Sequence, residues 1–409
     1  MFTHPKNDKS ANYIGLIVLI TLIFGIQLYF LQKLGVNDGD YKGHLDFTRK
    51  MIQNNSIISK DIPSFISAHP LYHMLTITFS KIIGVSLKVA GYYLVPLLSY
   101  IILGLVIYRV LVKEKIKVDN NGFSILDALI ITLCLMLVGP VSFFSYPNLY
   151  LGYIGINVYH SPTQILVKPL SLITFLLLIK GLNRRTNSKS FKLCLALVAA
   201  SSLMAKPSYL ICLIPALFLF TMLKLYKNEL INLNLIIFFL AVNGLVLACQ
   251  YWLTLGINDP DHVNKVIFAP FLVMRYYANN SLLLRLIASI LFPITVYLAL
   301  FSSAKKDTTL NLAWLTFGVS LFYTYFLAFT YGGSSWVHGD FTWGSQISLF
   351  ILFVVSTIFL IREKTVRING ELLSIKKDPR LSLCILTFSL HLLSGLLYYF
   401  KVLCGGWFG

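Results

Sequence analysis

The sequence predicts an all-α, polytopic membrane protein, and three observations predict it. Of its residues, 57% are hydrophobic and only 12% charged, which excludes an ordinary soluble domain. Apolar runs recur along almost the whole chain, most of them long enough to cross ~30 Å of hydrocarbon. The polar interruptions alternate in character, cation-rich ones with ones rich in histidine and aspartate. In lipid every backbone amide needs an internal partner, so the apolar runs are helices.

Lys6 and Lys9 precede the first run, Tyr13 to Leu31, so the chain is expected to start in the cytoplasm with a retained signal anchor. Residues 32–87 then form an outer loop with interfacial helices. Its first part is Asn37-Asp38-Gly39-Asp40-Tyr41-Lys42-Gly43-His44, with a helix expected from Tyr41 to Ile52. The helix opened by His69-Pro70-Leu71-Tyr72-His73 is short for a span. Laying it along the outer interface leaves the basic run Arg109 to Lys117 inside.

Further spans are expected at Lys88 to Leu111, Leu126 to Ser145 and Thr163 to Leu182. Next comes a pair, Leu193 to Lys224, broken near Lys206-Pro207-Ser208. Leu230 to Leu255, Ser281 to Phe301, Leu312 to Thr330, Ser345 to Ile361 and Leu381 to Phe400 complete the set. That makes about eleven transmembrane helices in one domain, residues 1–409. Tyr146 to Ser161, Asn258 to Asn280 and Tyr331 to Gly344 are expected as outer segments.

The net charge of +18 does not indicate nucleic acid. The cations sit in short loops, at Arg109 to Lys117, Lys180 to Lys192, Lys305-Lys306 and Arg362 to Arg380. That distribution sets topology and attracts anionic membrane lipids. The six cysteines show neither a CxxC pair nor metal-ligand spacing. Six of the eight histidines, including His44, His160 and His338, fall on the outer side, together with Asp38, Asp40 and Asp340. Chemistry is therefore expected on the outer face.

Asp40 and His44 are four apart, so a helix stacks them on one face with Thr48. A carboxylate there suits proton acceptance from a hydroxyl or a share in holding a divalent cation; the structural alternative is an N-cap at Asp38 or Asp40. A lysine at bilayer depth costs ~2.5–3.5 kcal/mol, less if it snorkels, so Lys168 and Lys206 are expected to have a partner, a phosphate being a natural one. Arg275 suits a phosphate or headgroup. In Trp336-Val337-His338-Gly339-Asp340-Phe341-Thr342-Trp343, aromatic faces beside polar groups suit a sugar ring, although Trp also populates membrane interfaces.

This layout resembles the GT-C superfamily of integral membrane glycosyltransferases. The matching pieces are Asp38-Gly39-Asp40-Tyr41…His44 after the first span and the His-Pro-Leu-Tyr run beginning at His69. Tyr159-His160-Ser161-Pro162-Thr163 and His338-Gly339-Asp340-Phe341-Thr342-Trp343-Gly344 look like motifs of bacterial members associated with surface polysaccharide. The resemblance implies an inverting transferase in the inner membrane, working at its periplasmic or outer face. It implies a polyprenyl-phosphate-linked sugar as donor and a lipid-linked glycan or other envelope acceptor. Asp40 is the implied catalytic residue, with Asp38 as its rival, and there is no clear second acidic pair. No cofactor is expected beyond the divalent cation Asp40 suits. A polysaccharide polymerase or ligase and a lipid-linked sugar flippase or transporter are the competing classes.

Overall fold

The computed structural model describes residues 9–33, 39–57, 69–118, 125–142, 152–184, 186–253, 265–278, 281–330, 337–367 and 378–404. Asp38 lies outside these residues, as does the side chain of His338. The architecture is a helical bundle around a large apolar core, with a small separate cluster of Phe47, Met51 and Ile77. Among the described residues, eight helices are long and apolar enough to cross a membrane.

The chain begins with α1 (Lys9–Lys33), followed by α2 (Asp40–Gln53) and α3 (Leu71–Ile83). A long helix, α4, combines Leu87–Val89, a π turn at Ala90–Leu94 and Val95–Val118. Then come α5 (Ile125–Leu137), α6 (Pro162–Leu182), α7 (Lys189–Ala205), α8 (Ser208–Tyr226) and α9 (Leu233–Tyr251). Strand β1 (Lys265–Phe268) leads to α10 (Leu272–Tyr277), α11 (Leu282–Ala299), α12 (Phe301–Ala304) and α13 (Thr308–Phe326). Strands β2 (Leu327–Thr330) and β3 (Val337–His338) precede α14 (Thr342–Arg367) and α15 (Pro379–Cys404).

Polar contacts collect at the two ends of the bundle. At one end Asn232, Ser188 and Asp307 cap α9, α7 and α13 by accepting the N–H groups of Leu235, Phe191 and Leu310. There Lys192 donates to Asn234 (2.7 Å), Asn232 to the Arg184 carbonyl (2.8 Å), and Arg362 pairs with Asp307. At the opposite end α2, α3, the turn between α7 and α8, and the start of α14 come together. The cation-rich and histidine-rich interruptions thus occupy opposite ends.

Two expected spans change. The fold is helical as expected, and it also carries a small antiparallel sheet, ordered β1-β2-β3. Lys265 to Phe268 pair with Thr330 to Leu327, and Phe329 pairs with His338. The last four residues of the expected span Leu312 to Thr330 form β2; an apolar Leu-Ala-Phe-Thr run has the same hydropathy as helix or strand. The span expected from Leu126 to Ser145 stops as helix at Leu137, because Gly139-Pro140 cannot continue it. In the expected outer loop Tyr146 to Ser161, every described residue from Gly152 to Tyr159 is buried.

Irregular backbone inside a membrane bundle is tolerated only where protein satisfies its polar groups. Here side chains do so. Asn157 donates to the Leu135 and Val138 carbonyls, at 3.2 and 2.8 Å, closing the end of α5. His391 on α15 donates from Nδ1 to the Gly139 carbonyl (2.6 Å) and accepts the Phe292 N–H at Nε2 (3.2 Å). Ser394 donates to the Pro140 carbonyl (2.6 Å) and accepts the Ser142 N–H (2.9 Å).

Gly395 permits this clamp. A Cβ there would lie 2.0 Å from the Leu137 carbonyl oxygen and 2.5 Å from the Gly139 nitrogen, both fixed backbone atoms. Gly395→Ala is therefore expected to destabilise the fold by about 1–3 kcal/mol or more, the usual cost of overpacking. The check is a lowered unfolding midpoint in detergent, set against Gly244→Ala, where a Cβ meets nothing within 4 Å.

Candidate active site

Asp40 is the first residue of α2, behind an N-cap residue, Gly39, that makes no side-chain cap bond. Asp40 is thus no N-cap, and its carboxylate is exposed at the helix start, where the helix dipole favours negative charge. One turn on, His44 is half-buried, and a further turn on Thr48 is fully buried. Tyr41, Leu45 and Met51 are buried along with Thr48, on the side of α2 that adjoins His44.

α3 packs against α2 and brings His73 and Tyr72 to it, both essentially unexposed. His73 Nε2 lies 3.4 Å from His44 Nδ1, and His73 Nδ1 lies 2.8 Å from Thr48 Oγ1. The His44 ring centroid is 5.5 Å from that of Tyr72, edge to face. Tyr72 is anchored by donating to the Gly91 carbonyl at 2.8 Å. His69, just before α3, interacts electrostatically with His44 and with Lys206.

Lys206 occupies the turn between α7 and α8, where Pro207 breaks the apolar run. Its Nζ sits 4.0 Å from the Trp343 ring centroid, a close cation–π contact. The His160 ring is 5.9 Å from the same indole. Trp343 is fixed by its backbone, whose carbonyl accepts from Gln164 Nε2 at 3.2 Å. Gly344 lets α14 approach α8: a Cβ there would lie 2.7 Å from the Ser208 carbonyl oxygen. Thr342 and Ser345 hydroxyls, donating to the Gly339 and Thr342 carbonyls, shape the turn that carries Asp340.

Electrostatics tie these segments into one site. Burial pulls the Lys206 ammonium down from its ordinary 10.5 to about 8, against the nearby carboxylates of Asp40 and Asp340, which favour its charge. Burial lowers His160, with Asp40 opposing and Lys206 reinforcing the shift. Burial, then Lys206, then His69 bring His44 to about 3. His69 falls to about 3 through burial, Lys206 and His73, and His73 to about 3 through burial and then His44. At neutral pH the site therefore holds neutral imidazoles around one ammonium and two carboxylates.

A lowered lysine pKa has a definite sign. Lys206 is charged below about pH 8 and loses its charge as pH rises through that value. Asp340→Asn removes one group that supports the charge, so the Lys206 midpoint is expected to fall below that of the wild type. A ¹³Cε-lysine NMR titration of both proteins checks this; an unmoved midpoint contradicts the proximity of the two groups.

The structure thus brings Asp40, His44, His160, Lys206, Asp340 and Trp343 together. It adds His69, His73, Thr48 and Tyr72, whose signal was the i,i+4 spacing of His69 and His73 beside a helix start. Two expected residues stand apart. Lys168, on α6, donates to the Ile156 carbonyl (3.1 Å) and Asn157 Oδ1 (2.9 Å), and lies over the Phe350 ring. Arg275, exposed on α10, lies 5.8 Å from the Phe271 ring and has no contact with the Asp40 group among the described residues. Among those residues no three His, Cys, Asp or Glu side chains are arranged to hold a metal. Compared with protein-family models, with curated proteins and with solved structures, the chain finds no match.

Proposed function

We propose that the chain is an integral-membrane glycosyltransferase of GT-C type, which moves a sugar from a polyprenyl-phosphate donor to a lipid-linked glycan or other envelope acceptor. One observation carries the reading: Asp40, His160, Lys206 and Asp340, from four separate segments, interact electrostatically as one group at the histidine-rich end of a membrane bundle. We further propose eleven crossings, the eight long apolar helices plus α5, α7 and α13, with the cation-rich end in the cytoplasm and the site at the outer face of the inner membrane.

In the reaction Asp40 accepts the proton of the acceptor hydroxyl as its oxygen attacks the anomeric carbon. The bond from that carbon to the phosphate oxygen breaks, its electron pair leaving with the polyprenyl phosphate, and the anomeric centre inverts. Lys206 stabilises the departing phosphate; it is favoured over Lys168 and Arg275 because it alone of the three interacts with Asp40. Against a transporter stands the disposition of the polar groups within the spans. Lys168 and His391 bond to backbone and to Asn157 rather than lining a route through the bundle.

The test compares the lipid-linked glycans of membranes with and without the protein. One fewer sugar on the acceptor, with the polyprenyl-linked donor accumulating, is expected without it. An identical profile overturns the reading.

A further inference from the structure

The hydrogen bonds beneath His44 dictate where its proton sits. Thr48 has a single hydroxyl hydrogen, and it is donated to the His44 carbonyl one turn back (2.9 Å). Thr48 Oγ1 therefore meets His73 Nδ1, 2.8 Å away, as an acceptor, so Nδ1 carries the hydrogen. A neutral imidazole has one N–H, which leaves His73 Nε2 bare. That nitrogen faces His44 Nδ1 at 3.4 Å, and two bare nitrogens would repel, so His44 Nδ1 carries the second hydrogen. His44 Nε2 is then bare. It has no hydrogen-bond partner among the described residues, and its ring is half-buried while Thr48 and His73 are wholly enclosed.

We propose that Thr48 and His73 are positioning residues that hold His44 as the Nδ1–H tautomer, so that its Nε2 accepts the hydrogen of a sugar hydroxyl. The groups facing His44 keep the relay neutral: Phe47 on its own helix, His69, Tyr72 and His73 around α3, and the Lys206 ammonium, which disfavours a second positive charge. His44 orients a hydroxyl, whereas Asp40 removes a proton. The choice of a sugar hydroxyl rests on the transferase reading; the tautomer does not.

The experiment uses the full chain in lipid nanodiscs with ring-¹⁵N histidine, His44 being assigned by the signal lost in His44→Gln. Octyl β-glucoside is the hydroxyl-bearing probe. In the wild type His44 and His73 are expected to show a protonated Nδ1 and a bare Nε2 at pH 7, and the probe to move the His44 Nε2 resonance. Thr48→Val removes the acceptor that fixes the relay. It is expected to mix the tautomers at both rings and to raise the half-saturating probe concentration about 3–10-fold, the loss of one ordinary hydrogen bond. Thr48→Ser keeps the hydroxyl and the wild-type values. A protonated Nε2 at His44 in the wild type overturns the proposal, as does a His44 resonance that the probe leaves unmoved. Absence of sugar transfer, with the tautomer and the probe response intact, counts against the transferase reading alone.

Discussion

Asp40→Asn is expected to lower sugar transfer by ~10²–10⁴-fold, the usual worth of general-base assistance, at unchanged protein level in the membrane. The substitution keeps the shape of the side chain and, since Gly39 makes no side-chain cap, removes no cap from α2. It does remove negative charge from the site. Lys206 and His160 both feel the Asp40 carboxylate, so an equally large fall could arise from an ammonium that loses its proton at working pH. Asp340→Asn separates the two. Both variants weaken support for the Lys206 charge and are expected to move the alkaline limb of the pH profile downward. Only Asp40→Asn is expected to show the large fall at a pH well below that limb. Equal losses there would make Asp40 an electrostatic support rather than a base. Undiminished transfer would transfer the role to Asp38.

Much of the fold is legible because hydropathy and charge act at long range along the chain. The break at Lys206-Pro207 separates α7 from α8 as expected, and the Asp40–His44–Thr48 spacing places those residues on one face of a helix spanning nearly the expected residues. Gly139-Pro140 carried the signal that α5 ends early, but a hydropathy window averages across such a dipeptide. The sheet was not legible because its strands are two to four residues long and continue apolar runs. Within the site, the Lys206 turn and the Asp340 turn converge through packing of α8 against α14, which sequence spacing does not encode. Lys168 shows the remaining limit. A lysine in an apolar run announces that a partner exists, but a phosphate and a backbone carbonyl satisfy it equally well.

Lys168→Met is therefore expected to act on stability more than on chemistry. Lys168 is 6% exposed and joins α6 to the buried 152–159 segment through the Ile156 carbonyl and Asn157 Oδ1. Methionine fills much of the volume but leaves both acceptors unpaired, at about 1–3 kcal/mol each, so a loss of about 2–6 kcal/mol is expected in detergent unfolding. Asn157 in turn holds the end of α5, and the same segment runs on to His160 in the site, so the damage should spread in that direction. A double-mutant cycle with Asn157→Leu isolates the contact: a coupling of about 0.5–3 kcal/mol is expected for groups bonded to one another. If the donor phosphate were the true partner, the outcome would differ in kind. Lys168→Met would then unfold like the wild type, show no coupling to Asn157, and lose transfer, as is expected of Lys206→Met under the proposed reaction. The buried, doubly bonded ammonium argues for the first result, because a group already satisfied by protein at both a carbonyl and an amide gains little by exchanging them for a ligand.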